Sequence, residues 1–130
     1  MLKPVLSGLV LLLISYPAVA QPELELELTQ LIDPNCQGTV LLADSSAEPG
    51  QCIRYQLRVQ NLGSSAAQAV NLSLPVPQHT TLKQNLESNQ VDLPAARLQT
   101  TASGEQRLQT QIEQLDAHQE LTLNYSVQVL

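Results

Sequence analysis

The chain has 130 residues, with 12 acidic against 6 basic side chains, two cysteines, three tyrosines, and neither Phe nor Trp. That length suits one domain, and the missing Lys/Arg surplus argues against binding nucleic acid or docking on anionic lipid. Leu, Ile and Val supply 29 residues between positions 21 and 130, enough for a core and too many for a disordered tail.

Residues 1–20 read as a secretory signal peptide. Lys3 gives the positive start, and Val5 to Ile14 is apolar apart from Ser7 and Gly8. Ala18-Val19-Ala20 then offers a small-x-small cleavage site. The apolar run is too short to cross about 30 Å of hydrocarbon, and Pro17 closes it. Cleavage is expected before Gln21, where a lipoprotein would need Cys. Without Lys3 the balance is 5 basic against 12 acidic residues, a net charge of −7. The expectation is one exported domain over residues 21–130, periplasmic or secreted, with no membrane insertion after cleavage.

Export bears on the cysteines. In an oxidising compartment Cys36 and Cys52 are expected to form a disulfide. Their 16-residue separation gives a staple worth roughly 3 kcal/mol in the chain-entropy picture. A redox role would want C-x-x-C, and zinc would want finger-like spacing with the two histidines. Neither pattern is present.

Glu23 to Leu28 alternates strictly, so Leu24, Leu26 and Leu28 are expected on the buried face of a strand and the glutamates in water. Asp33-Pro34-Asn35 and Gln37-Gly38 break the chain, and Thr39 to Ala43 suits a short strand. Pro49-Gly50 is a strong turn signal. Ile53, Tyr55, Leu57 and Val59 then alternate with polar residues, and Gly63 is available for a positive φ in the next turn. Val70, Leu72 and Leu74 make a third strand that Pro75 and Pro77 are expected to end.

The pattern weakens from Thr80 to Thr101. Leu82 and Leu86 fit a helical turn or an irregular strand, while Val91, Leu93 and Leu98 suggest two short strands around Pro94. Between Glu105 and Glu120, Leu108, Ile112 and Leu115 fit a helix face, yet Leu108, Thr110 and Ile112 fit a strand. Leu121 to Val129 alternates clearly again. Strands separated by turn signals point to an all-β, antiparallel sandwich.

Glu48-Pro49-Gly50-Gln51-Cys52-Ile53-Arg54-Tyr55, continuing through Val59-Gln60-Asn61-Leu62-Gly63, resembles the conserved-repeat domain of bacterial surface proteins. That is an immunoglobulin-like family of unknown function. Val70, Leu72 and Pro77 match its next strand and turn, and Leu115 with Leu123, Tyr125, Val127 and Val129 resembles its closing strand. The resemblance implies an immunoglobulin-like sandwich of about seven strands. It also implies that Leu108 to Glu113 is extended, and that His79 and His118 stand at turn positions usually held by Gly.

Chemistry is poorly represented. No Ser has a nucleophile-elbow context. His79 and His118 would lie at opposite poles of a sandwich, too far apart to share a metal or substrate. The Glu23, Glu25 and Glu27 row looks like a solvated face, and Tyr55 and Tyr125 are in phase with core residues. Asp33, Asp44 and Glu48 lack calcium-loop spacing. No catalytic, cofactor-binding or metal residue is assigned, and no cofactor is expected. Seventeen Gln residues follow position 20 and give a weakly charged polar surface. The expected role is a non-enzymatic envelope module acting by protein–protein contact, with Leu24–Leu28 and Leu121–Leu130 as candidate edges. The alternative is a periplasmic protein binding a small ligand or calcium through the 34–48 insertion loop.

Overall fold

The structure, a computed structural model, describes residues 20–44 and 46–130. The signal-peptide reading of residues 1–20 falls, apart from Ala20, outside the described residues. Seven strands follow: β1 (Leu24–Asp33), β2 (Cys52–Asn61), β3 (Ala67–Val76), β4 (Thr80–Glu87), β5 (Arg97–Thr100), β6 (Gln106–Leu115) and β7 (Glu120–Val129). They form a four-stranded sheet in the order β1-β2-β7-β4 and a three-stranded sheet in the order β3-β6-β5. Every pairing is antiparallel. The fold is an all-β sandwich.

The core follows from period-two alternation. Tyr55, Leu57 and Val59 of β2 oppose Tyr125, Leu123 and Leu121 of β7 in register, and all six are buried. From the other sheet come Val70, Leu72 and Leu74, with Leu108, Ile112 and Leu115. The Tyr55 and Tyr125 rings stack at 4.9 Å, and the Tyr125 hydroxyl donates to the Pro75 carbonyl across the layers. Burying these side chains is the dominant favourable term in the fold.

Several sequence expectations change. β3 does not end at Pro75 but continues to Val76, because it is an edge strand that tolerates a residue without an N–H. Thr39–Ala43 is not a strand; it contributes one bridge, in which Ile32 and Leu42 exchange two 2.8 Å hydrogen bonds. Val91 and Leu93 lie outside any strand and pack against the core from a loop. The 105–120 segment contains strand β6 and no helix.

Gly63 also has a different purpose from the one expected. Its φ is not positive; instead a Cβ there would lie 2.1 Å from the Gln21 carbonyl oxygen and 2.6 Å from the Glu23 nitrogen. Glycine is required because the backbone leading into β1 passes directly over it. Asn61 fastens the same junction. Its Oδ1 accepts from the N–H groups of Glu23 and Gly63, and its Nδ2 donates to the carbonyls of Ser65 and Leu115.

The β4 side of the sandwich is tied by side-chain amides to the loop that crosses between the two sheets. Beyond Glu87 the Gln90 amide replaces a strand, donating to the Glu120 carbonyl and accepting from the Thr122 N–H. Asn85 of β4 donates to the Ala96 carbonyl just before β5. Among the described residues no such tie reaches over Leu24 to Leu28.

Candidate functional site

The register places Leu26 opposite Val59 and Leu28 opposite Leu57, both of them buried core residues. The β1 leucines therefore lie on the inner face of their sheet, as their alternation predicts. Burial does not follow, because the three-stranded sheet does not reach over β1. Leu24, Leu26 and Leu28 remain 39%, 50% and 40% exposed. Val40, Leu41 and Leu42, beside the far end of β1, are exposed too, as is Leu62 beside its start. Of the exposed large aliphatic residues, these seven thus lie along or beside one edge, while Leu98 and Leu130 lie elsewhere.

Backbone polarity at this edge follows from two hydrogen bonds. Glu23 gives its carbonyl to Leu62 on the β2 side, whereas Ile32 bonds Leu42 on the opposite side. Alternation then turns the N–H and C=O groups of Leu24, Leu26, Leu28 and Gln30 away from β2, toward the open edge. The outer face of the same strand carries Glu25 and Glu27, with Glu23 immediately before it. Glu27 is held by Arg58 at 2.7 Å. Chemically this is a template for one more strand: unpaired backbone groups, an apolar row on one face and carboxylates on the other.

A second feature lies under the 34–38 turn, on the outer face of the same sheet. Cys36 and Cys52 are joined by a disulfide, as the sequence led us to expect. It ties the turn to the buried start of β2, where Cys52 is fully inaccessible. Asp33 is 97% buried there, being 3% exposed; its Oδ2 accepts from the Gly38 N–H at 2.9 Å, and its Oδ1 has no partner. A polar cavity of about 380 Å³ beside it is lined by Asp33, Gln37, Arg54, Lys83 and Ser126. Neither Arg54 nor Lys83 makes an ion pair among the described residues. No local sequence pattern signals this grouping, because Asp33, Arg54 and Lys83 come from three separate strands.

The remaining candidates disperse. His79 follows the Val76–Gln106 end of the three-stranded sheet, and His118 follows the Ala67–Leu115 end. Both have left-handed backbone, with φ of 63° and 62°, which fits turn residues. His79 borders a cleft of about 660 Å³ with Thr100 and Glu105, but the Glu105 carboxylate is already bound to Arg107 at 2.6 Å. Among the described residues no three His, Cys, Asp or Glu side chains are grouped to hold a metal, so Asp33, Asp44 and Glu48 do not converge. Tyr55 and Tyr125 lie in the core, where burial raises both phenol pKa values. Leu121–Leu130, the other candidate edge, is interior: β7 pairs with β2 on one side and β4 on the other.

No family model matches the chain, and no curated protein matches it. Its two candidate surfaces therefore stand on geometry alone.

Proposed function

We propose that this protein is a non-enzymatic module of an exported bacterial compartment, periplasmic or extracellular, which acts by protein–protein contact through the open edge of β1. The observation that carries the reading is the exposed inner-face row of Leu24, Leu26 and Leu28 beside unpaired backbone groups. A long apolar edge is an aggregation liability unless a partner uses it. Export is supported by the leader-like residues 1–20 and by a disulfide compatible with an oxidising compartment. Among the described residues no helix is long and apolar enough to cross a membrane. The motif resemblance to conserved-repeat domains of surface proteins favours an envelope setting.

The test is in-cell crosslinking of the tagged full-length chain, followed by mass spectrometry of envelope and medium. A reproducible protein partner whose yield falls with Leu26→Pro supports the reading. Crosslinks unaffected by that substitution, or none at all, overturn it. A second reading, small-ligand binding under the 34–48 loop, is favoured by the unpartnered Asp33 Oδ1 beside Arg54 and Lys83. It predicts that a ligand shifts the amides of Gln37 and Gly38 and leaves β1 unchanged.

A further inference from the structure

We infer that the β1 edge receives an extended polypeptide segment in which apolar residues alternate with Lys or Arg. This rests on the edge-contact reading above and names the partner's chemistry. The free backbone groups run from Leu24 to Gln30 and stop at Ile32, where Leu42 already occupies the edge. A strand added there sets every second side chain beside Leu24, Leu26 and Leu28, and burial is favourable only if those side chains are apolar. The intervening ones stand beside Glu23, Glu25 and Glu27. Arg58 already answers Glu27, so Glu23 and Glu25 carry the uncompensated charge. Opposite charges across a strand pair are stabilising and like charges are not.

The same charges argue against a second copy. Two β1 strands paired antiparallel with their leucines on one face set Glu25 against Glu25, Glu27 or Glu23 wherever the leucine rows overlap well. The chain is also acidic overall, with a formal net charge of −6, so its field repels another copy and attracts a basic segment.

The test uses the protein recovered from expression of the whole chain and four blocked heptapeptides. One alternates Leu and Lys, one Leu and Glu, and one Leu and Ser; the fourth has the Leu/Lys composition with the alternation broken. Amide hydrogen exchange is read residue by residue. The Leu/Lys peptide should protect the amides of Leu24, Leu26, Leu28 and Gln30, while Glu25 and Glu27, already bonded to β2, change little. It should bind about tenfold or more tighter than the Leu/Glu peptide at low salt, since two or more cross-strand pairs switch sign. Glu25→Lys should narrow that difference, and Glu23→Lys with Glu25→Lys should reverse it. Leu26→Pro should abolish protection without unfolding the sheet, because the Leu26 N–H faces the open edge.

Equal protection by the Leu/Glu or Leu/Ser peptide overturns the basic partner and leaves the edge reading standing. Binding by the broken alternation as tight as by the regular one overturns strand addition in favour of bulk charge. If no peptide protects the edge, both this inference and the edge reading fail. Edge protection that rises with protein concentration alone, together with a dimer in sedimentation, replaces the basic segment with a second copy.

Discussion

The Tyr125 hydroxyl donates to the Pro75 carbonyl at 2.7 Å and so joins the two sheets through the core. The bond needs a protonated phenol. Burial, reinforced by the neighbouring Tyr55, pushes the Tyr125 pKa well above its ordinary 10.0, and the positive Arg107 only partly opposes this. Tyr55 is raised by burial as well. An acid whose folded pKa is raised contributes its stability fully below the unfolded pKa and loses it as pH climbs toward the folded value. Stability should therefore be level up to about pH 9 and fall above about pH 10. Tyrosinate absorbance of these two residues should appear together with unfolding. Its appearance in the folded protein near pH 10 would contradict the closed core. Tyr125→Phe should lower stability by about 1 kcal/mol, since a part-buried carbonyl loses its donor.

Asn61 holds four backbone groups with one amide, at the junction of β1, the β2–β3 turn and the end of β6. Asn61→Ala removes both acceptor and donors from a fully buried position. The expected loss in urea denaturation is about 3 kcal/mol, because several partners are left unpaired away from water. Asn61→Asp should rescue little, since a carboxylate accepts but cannot donate to Ser65 and Leu115. Gly63→Ala should be comparably damaging despite its modest size, because the added methyl meets backbone and not a movable side chain. A loss under about 1 kcal/mol in both variants would show that this junction opens easily.

The sandwich was legible because β2, β3 and β7 alternate cleanly, and alternation reports which face is buried. The helix-or-strand ambiguity before His118 has a specific cause. Ala69 has φ 51° in the middle of β3, so Ala67 and Val70 both reach the core although three residues apart. Their partners in β6 are Leu115 and Ile112, and that spacing of three imitates a helix. The β1 edge was legible as a strand but not as an open one. Alternation fixes the face on which Leu26 lies, whereas its exposure depends on how far the opposing sheet extends. Asp33, Arg54 and Lys83 were illegible as a group, because only tertiary register brings β1, β2 and β4 together.

The disulfide closes the segment that carries the 34–38 turn and Leu42. Reduction, or Cys36→Ser with Cys52→Ala, should cost roughly 3 kcal/mol for a separation of 16 residues. The consequence should be local first. Gly38 would lose the geometry that lets it bond Asp33, leaving a buried carboxylate with neither oxygen paired. Hydrogen exchange should therefore rise at Gly38 and Leu42 before it rises in β7. Uniform exchange across all strands after reduction would show that the staple stabilises only through the unfolded chain.

His79 and His118 offer the sharpest separation between a structural and a chemical reading. Each occupies left-handed backbone that glycine adopts without steric cost. If their role is conformational, His79→Gly and His118→Gly should keep stability within about 0.5 kcal/mol or raise it slightly, since relief of strain offsets added unfolded-state entropy. His118→Val should lose about 1 kcal/mol or more, because a β-branched residue resists positive φ. The two turns lie at opposite ends of the β3–β6 pair, so the effects in the double variant should add within about 0.5 kcal/mol. Partner capture by the β1 edge should be unchanged in both glycine variants. Loss of capture with the fold intact would place a histidine in the contact itself, and strong non-additivity would mean the ends communicate through the core.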